Sequence, residues 1–181
     1  MSVQVVLFLL QTLFFILVAC ALLRAWMNHI KLHMSVQPGR FVMAVTDWLV
    51  KPLRRVLPGG LGRSRVDWGS LLAALVLSQV YAALALLVMS GWDVAVHSPG
   101  LMLALALQFL ARSVLQGLSL LLLVYAVLSW VQPQSPVMGT LDRLVGPLVR
   151  PIRRVVPPVG GVDLSVLLLI VALQVGLMLI G

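Results

Sequence analysis

From Val3 to Trp26 the chain carries one charged residue, Arg24, in twenty-four positions. A run of that length and polarity restricts the backbone more than anything else in the sequence. Hydrocarbon offers no partner to exposed N–H and C=O groups, so a lone segment satisfies them only as a helix. At 1.5 Å per residue, about 20 residues cross ~30 Å of hydrocarbon. Three further runs approach that length: Trp68 to Trp92, part of Leu101 to Trp130, and Leu164 to Ile180. Leu101 to Trp130 is too long for one perpendicular span, and Arg112 interrupts it. The third span is therefore assigned to 113–130, with 101–110 along the membrane surface unless tilt absorbs the excess. The chain reads as an all-α membrane protein of four transmembrane helices, at about 3–26, 68–92, 113–130 and 164–180. A composition 61% hydrophobic and 10% charged agrees.

Thirteen Lys and Arg stand against five Asp and no Glu, for a net charge of +8. In a soluble chain that balance would point to nucleic acid. Here the charges sit in two blocks beside spans, so the expected partner is the anionic headgroup of membrane lipids, and no nucleic acid is expected. Arg24, Lys31, Arg40, Lys51, Arg54, Arg55, Arg63 and Arg65 lie in or beside the first loop, and Arg143, Arg150, Arg153 and Arg154 in the third, against none in residues 91–100. The positive-inside bias places both basic loops in the cytoplasm and both termini outside. Trp26, Trp92 and Trp130 fall near span ends, the depth that aromatic rings prefer. Leu17-Val18-Ala19-Cys20 looks like a lipoprotein cleavage box. Residues 1–12 contain no Lys or Arg and the apolar run continues through Leu23, so the segment is read as a retained span. Cys20 is the lone cysteine, which excludes an intrachain disulfide.

The chain repeats itself. Lys51-Pro52-Leu53-Arg54-Arg55 matches Arg150-Pro151-Ile152-Arg153-Arg154, Asp67 matches Asp163, and Trp26 matches Trp130; Gln11 and Gln79 approximately match Gln116 and Gln174. Each unit is span, basic segment, span: residues 1–92 with a basic amphipathic segment at 40–57, and residues 101–181 with one at 137–156. Two spans per unit give both copies the same orientation, so the repeats are parallel. Within the second segment, Val137, Leu141, Leu144, Val145, Leu148, Ile152 and Val155 recur mostly three or four apart, and Phe41, Val45, Trp48, Leu49 and Val56 repeat this less cleanly in the first. Those stripes predict in-plane amphipathic helices, broken or kinked at Pro52, Pro147 and Pro151, that present Lys51, Arg54, Arg55, Arg150, Arg153 and Arg154 to lipid headgroups.

Asp67 and Asp163 open the second span of each unit. A carboxylate there caps the helix or pairs with an upstream arginine, and the two roles are compatible. Gln11, Gln79, Gln116 and Gln174 lie within spans, where an unpaired amide is costly. They are read as interhelical polar contacts, with a hydrated cation path as the alternative. His29 and His33 share an i, i+4 spacing, but no Cys or Glu stands near to complete a metal site. No glycine-rich phosphate loop and no nucleophile–base constellation is present, so neither catalytic residue nor cofactor is assigned.

The phrase PLVRPIRRVVPPVGGVDLSVLLL, preceded by YAVLSW, resembles the signature of the YggT family of bacterial inner-membrane proteins, called YlmG in Gram-positive bacteria and plastids. Tyr125 to Gln174 carries it almost continuously. The first copy departs at Leu61-Gly62-Arg63-Ser64-Arg65 and at Trp68-Gly69-Ser70. The resemblance implies a multi-pass protein of the bacterial cytoplasmic (inner) membrane, and protection against osmotic or extracytoplasmic stress, with potassium uptake proposed. Plastid relatives are associated with cytochrome complex assembly and nucleoid distribution, Gram-positive ones with division loci. It brings no catalytic residues. The expected function is thus non-enzymatic, as a scaffold or assembly factor for other membrane proteins or for a homo-oligomer, with a potassium channel or transport component as the alternative.

In a Cys20→Ser background, single cysteines at Ser98 and Ser135 should respond differently to an impermeant thiol reagent applied to intact cells: Ser98 labels and Ser135 does not. The opposite pattern inverts the topology.

Overall fold

The computed structural model describes residues 2–32, 38–56, 66–154 and 163–181. They form six helices: α1 (Ser2–His29), α2 (Gly39–Val56), α3 (Trp68–His97), α4 (Pro99–Val131), α5 (Pro136–Arg153) and α6 (Leu164–Ile180). α1, α3 and α4 are long and apolar enough to cross a membrane. α6 is as apolar but, at 17 residues, spans about 25 Å, the lower end of what a crossing needs. The order long, amphipathic, long occurs twice, and in each unit the amphipathic helix packs against both long ones.

One boundary differs from the sequence reading. Residues 101–110 are not a separate surface segment, since they continue without interruption into 113–130. A single arginine raises the cost of burial but breaks no backbone hydrogen bond, so Arg112 marks a dip in hydropathy rather than a helix end. The actual break lies earlier, at Gly91, whose φ of 81° and ψ of 179° interrupt α3 with a conformation that favours a residue without Cβ. Pro99 then starts α4, where its missing N–H costs nothing.

α3 turns a stripe of small residues inward. Ser70, Ala74, Ser78 and Ala82, four apart, are all buried, and Ser78 returns its hydroxyl to the Ala74 carbonyl. Such spacing lets backbones approach closely where lipid supplies no hydrophobic drive for association. Val18 and Ala21 of α1 pack with Ala73, Ala74 and Leu77 of α3, together with Val50 of α2 and Phe109 of α4. Tyr81 stacks on Phe109 with ring centroids 3.9 Å apart, tying α3 to α4. A second core gathers Met27 of α1, Leu122 and Tyr125 of α4, Leu141, Leu144, Val145 and Val149 of α5, and Val166 of α6. Trp26 fixes this junction between units by donating its Nε1–H to the Leu144 carbonyl at 3.1 Å. It is therefore an internal tie, whereas Trp92 and Trp130 are 70% and 66% exposed.

The prolines do not break the amphipathic helices. α2 runs through Pro52, and α5 through Pro147 and Pro151. All three prolines are exposed, and so are Trp48 and Arg143, whose carbonyls stand four residues before Pro52 and Pro147. On that face solvent can take over the hydrogen bonds that proline removes. The opposite faces, Val42, Thr46 and Val50 in α2 and Met138, Leu141, Leu144, Val145 and Val149 in α5, are buried. In α2 this corrects the sequence reading, because Phe41, Trp48 and Val56 of the expected stripe are exposed.

α2 is also held by charge. Arg24, 5% exposed near the end of α1, donates Nη1–H to Thr46 Oγ1 and to Asp47 Oδ1, both at 2.8 Å. Asp47→Asn leaves this guanidinium without its counter-charge and should cost about 3 kcal/mol in thermal unfolding in detergent. Adding Arg24→Met to the same chain should recover at least half of that loss, because an apolar side chain of similar length needs no partner.

Candidate functional site

In both units the repeated phrase closes on itself. Arg54, in the last turn of α2, donates Nη2–H to Asp67 Oδ2 at 2.6 Å. Asp67 also caps α3: its Oδ1 accepts from the Ser70 N–H at 3.2 Å, and its Oδ2 from the Ser70 hydroxyl at 2.7 Å. In the second unit Arg153 donates Nε–H to Asp163 Oδ2 at 2.7 Å and brings Nη2 to the same oxygen, while Asp163 Oδ1 accepts from the Ser165 N–H at 3.1 Å. One carboxylate thus neutralises the positive end of the following helix and holds the preceding amphipathic one.

The two clamps differ in their surroundings. Asp67 is buried, and the Arg54 side chain lies across the first turn of α3 so closely that a Cβ on Gly69 would come within 2.5 Å of Arg54 Cγ. That explains Trp68-Gly69-Ser70 in the first copy: the position before Ser70 must be glycine to admit the arginine stem. In the second unit Ser165 stands at the matching position, and Arg153 reaches Tyr125 Oη of α4 at 3.2 Å instead. Burial pushes the Asp67 carboxyl up, but the Ser70 hydroxyl and the Arg54 guanidinium outweigh it, leaving it below the usual carboxylate range. Asp47 is held low chiefly by Lys51, with burial opposing and Arg24 assisting. Asp163, with Tyr125 adding a bond, raises Arg153.

The six basic residues assigned to headgroups divide accordingly. Arg54 and Arg153 are engaged with carboxylates, and Lys51 pairs with Asp47 at 2.7 Å in an exposed i, i+4 arrangement of small energetic weight. Arg55, Arg150 and Arg154 are exposed and make no ion pair among the described residues. The four glutamines do not form bonds between helices of one chain. Gln11, Gln116 and Gln174 are exposed on α1, α4 and α6, and Gln79 keeps a buried Oε1 without a partner. The glutamine that does bridge two helices is Gln108, whose Nε2 donates to the Ile180 carbonyl at 2.9 Å. In the register that matches Trp26 with Trp130 its counterpart is Gln4, which is exposed on α1, so the repeat does not foretell the bond to α6. His29 stacks on Trp26, and His33 lies outside the described residues. Among the described residues no group of three His, Cys, Asp or Glu could hold a metal ion.

A model of the CCB3/YggT family matches two segments, residues 3–88 and 104–181, which correspond to the two structural units. The chain is 33% identical over 175 residues to an uncharacterized protein in the proC 3′ region of Vibrio alginolyticus, covering 96% of this chain and 92% of that one. It is 35% identical over 169 residues to the uncharacterized protein YggT of Escherichia coli, covering 93% of this chain and 85% of the relative. An uncharacterized protein of Pseudomonas aeruginosa is 30% identical, with 92% and 83% covered. No solved structure matches.

The depressed Asp67 carboxyl sets a pH signature. Its folded pKa lies below its unfolded value of about 3.9, so its contribution is complete above that value and is lost as pH falls through the folded pKa. Asp67→Asn should cost about 1–3 kcal/mol at neutral pH, read as thermal stability in detergent. The gap between parent and variant should stay constant above about pH 5 and narrow below about pH 4.

Proposed function

We infer that the chain, which belongs to the CCB3/YggT family, is a non-enzymatic scaffold or assembly factor for membrane proteins in osmotic or extracytoplasmic stress response. It crosses the bacterial inner membrane four times, with both termini periplasmic. α6 serves as the fourth span, and α2 and α5 lie at the cytoplasmic face, where their unpaired arginines meet anionic headgroups.

The observation that carries the scaffold reading is the direction of the glutamines. Gln11, Gln116 and Gln174 are exposed on three helices rather than convergent on one interior path. Gln116 is 17 residues from one end of α4 and 15 from the other, so it would sit near the bilayer midplane. An amide without a partner in hydrocarbon costs roughly 4–8 kcal/mol on a cyclohexane scale. A neighbouring membrane chain, another protein or a second copy, removes much of that cost by accepting and donating hydrogen bonds to it. Gln116 and Gln174 come from adjacent helices, and the pairing of Gly176 with Leu115 brings them to similar depth. Each is exposed among apolar neighbours.

Gln116→Leu with Gln174→Leu should reduce chemically crosslinked or co-purified membrane partners about five- to tenfold, at roughly 0.6 kcal/mol per lost bond, without lowering thermal stability. The potassium reading makes the opposite demand: purified protein in proteoliposomes would conduct potassium, and Gln79→Leu would stop the flux at unchanged stability. That result replaces the scaffold reading.

A further inference from the structure

α1 and α4 touch where Gly117 faces Ala19, and around that contact they stand apart. The space between them is a groove of about 720 Å³ open to one side, at the interface of the two units. Phe15, Ile16 and Leu23 of α1 line one wall, and Val114, Leu118 and Leu121 of α4 the other. His29, Asp67 and Leu141 mark its opposite end, where α2 and α5 lie. From His29 to Phe15 is 14 residues of helix, about 21 Å. The hydrocarbon of one leaflet is about 15 Å deep, half of ~30 Å, so the groove is long enough to take an acyl chain over its whole length.

We propose that this groove binds one anionic phospholipid, with an acyl chain between α1 and α4 and the phosphate on the basic residues of α2 and α5. The walls leave a chain no polar group to displace, apart from Ser113 near the floor. In a bilayer a space this large and apolar fills with hydrocarbon, whereas dry cavities that persist in proteins are nearer 150 Å³. Charge selects the headgroup. At this end of the molecule Asp47, Asp67 and Asp163 are taken up by Arg24, Lys51, Arg54 and Arg153. Arg40, Arg55, Arg143, Arg150 and Arg154 stay exposed without an ion pair among the described residues, against the one exposed, unpaired carboxylate of Asp142 on α5, so the end remains positive. Asp67 at the mouth does not repel a phosphate, because Arg54 neutralises it with one of its two Nη groups and keeps further N–H donors free.

The test uses the full chain in nanodiscs of phosphatidylcholine doped with phosphatidylglycerol bearing a diazirine at the end of one acyl chain, against the matching phosphatidylcholine probe. On irradiation the phosphatidylglycerol probe should label residues 15–23 and 113–124 at least fivefold more than the phosphatidylcholine probe does. Both should label the exposed flank at Leu167, Leu168 and Val171 equally. Gly117→Leu, which fills the groove, should abolish the first cluster and leave the second. Arg55→Glu with Arg150→Glu, both at exposed positions, should keep labelling in the groove but erase the preference between probes. Equal labelling by the two probes in the parent overturns the proposal, as does a groove left unlabelled because a second copy or another part of the chain occupies it.

Discussion

Each amphipathic helix is held to the helix that follows it by one arginine–aspartate ion pair, Arg54 to Asp67 and Arg153 to Asp163, and most of the architecture depends on that closure. Neither α2 nor α5 has an apolar face broad enough to be buried on both sides. Each packs one stripe on the long helices and leaves prolines and arginines outside. The aspartate works twice, since without it the first turn of the next helix would have an orphan N–H and the arginine no counter-charge. Placing both duties on one residue couples helix initiation to docking of the preceding segment. Such coupling explains why the basic triplet and the aspartate recur together while the residues between them vary in length and composition.

Duplication has not produced equal halves. The first unit adds Arg24, Thr46 and Asp47 to anchor α2, and it requires Gly69 beneath the Arg54 stem. The second has none of these and uses Tyr125 of α4 to steady Arg153. Trp26 and Trp130 occupy matching positions, yet one donates into α5 and the other is exposed. The end of α1 therefore leans on the second unit, while α3 joins the units through Tyr81 and Phe109. Held at those two places, the units leave the groove between α1 and α4.

What was legible in the sequence follows the same division. The long helices could be read from apolar runs, because a backbone in hydrocarbon has few alternatives, and the buried face of α5 from three- and four-residue spacing, whereas in α2 the apolar stripe named the wrong face, since Val42, Thr46 and Val50 are buried and Phe41, Trp48 and Val56 exposed. Contacts that depend on which faces meet were not legible. Arg24 looked like one more topology-setting charge, since nothing local indicates that Thr46 and Asp47 return to it from the next helix. Nothing local marks Gln108 among its apolar neighbours, while of the recurring glutamines Gln11, Gln116 and Gln174 are exposed and Gln79 keeps a buried Oε1. The prolines suggested breaks because proline is costly in an isolated helix, and only the exposure of Pro52, Pro147 and Pro151 explains why the helices continue. Arg112 misled in the same way, as hydropathy reports where a helix is comfortable and not where its hydrogen bonds end.

The basic residues thus form two populations that composition alone merges. Arg24 spends its charge inside the molecule, and Arg54 and Arg153, though partly exposed, each spend theirs on a carboxylate within hydrogen-bond reach. Arg55, Arg150 and Arg154 are exposed too but have no such carboxylate among the described residues, so their charge is screened by solvent. Adjacent arginines take opposite roles because a helix turns by 100° per residue, so the second of each pair cannot reach the aspartate that the first one holds. The doubled arginine is then a division of labour: one residue closes on the aspartate, and its neighbour is exposed and makes no ion pair among the described residues.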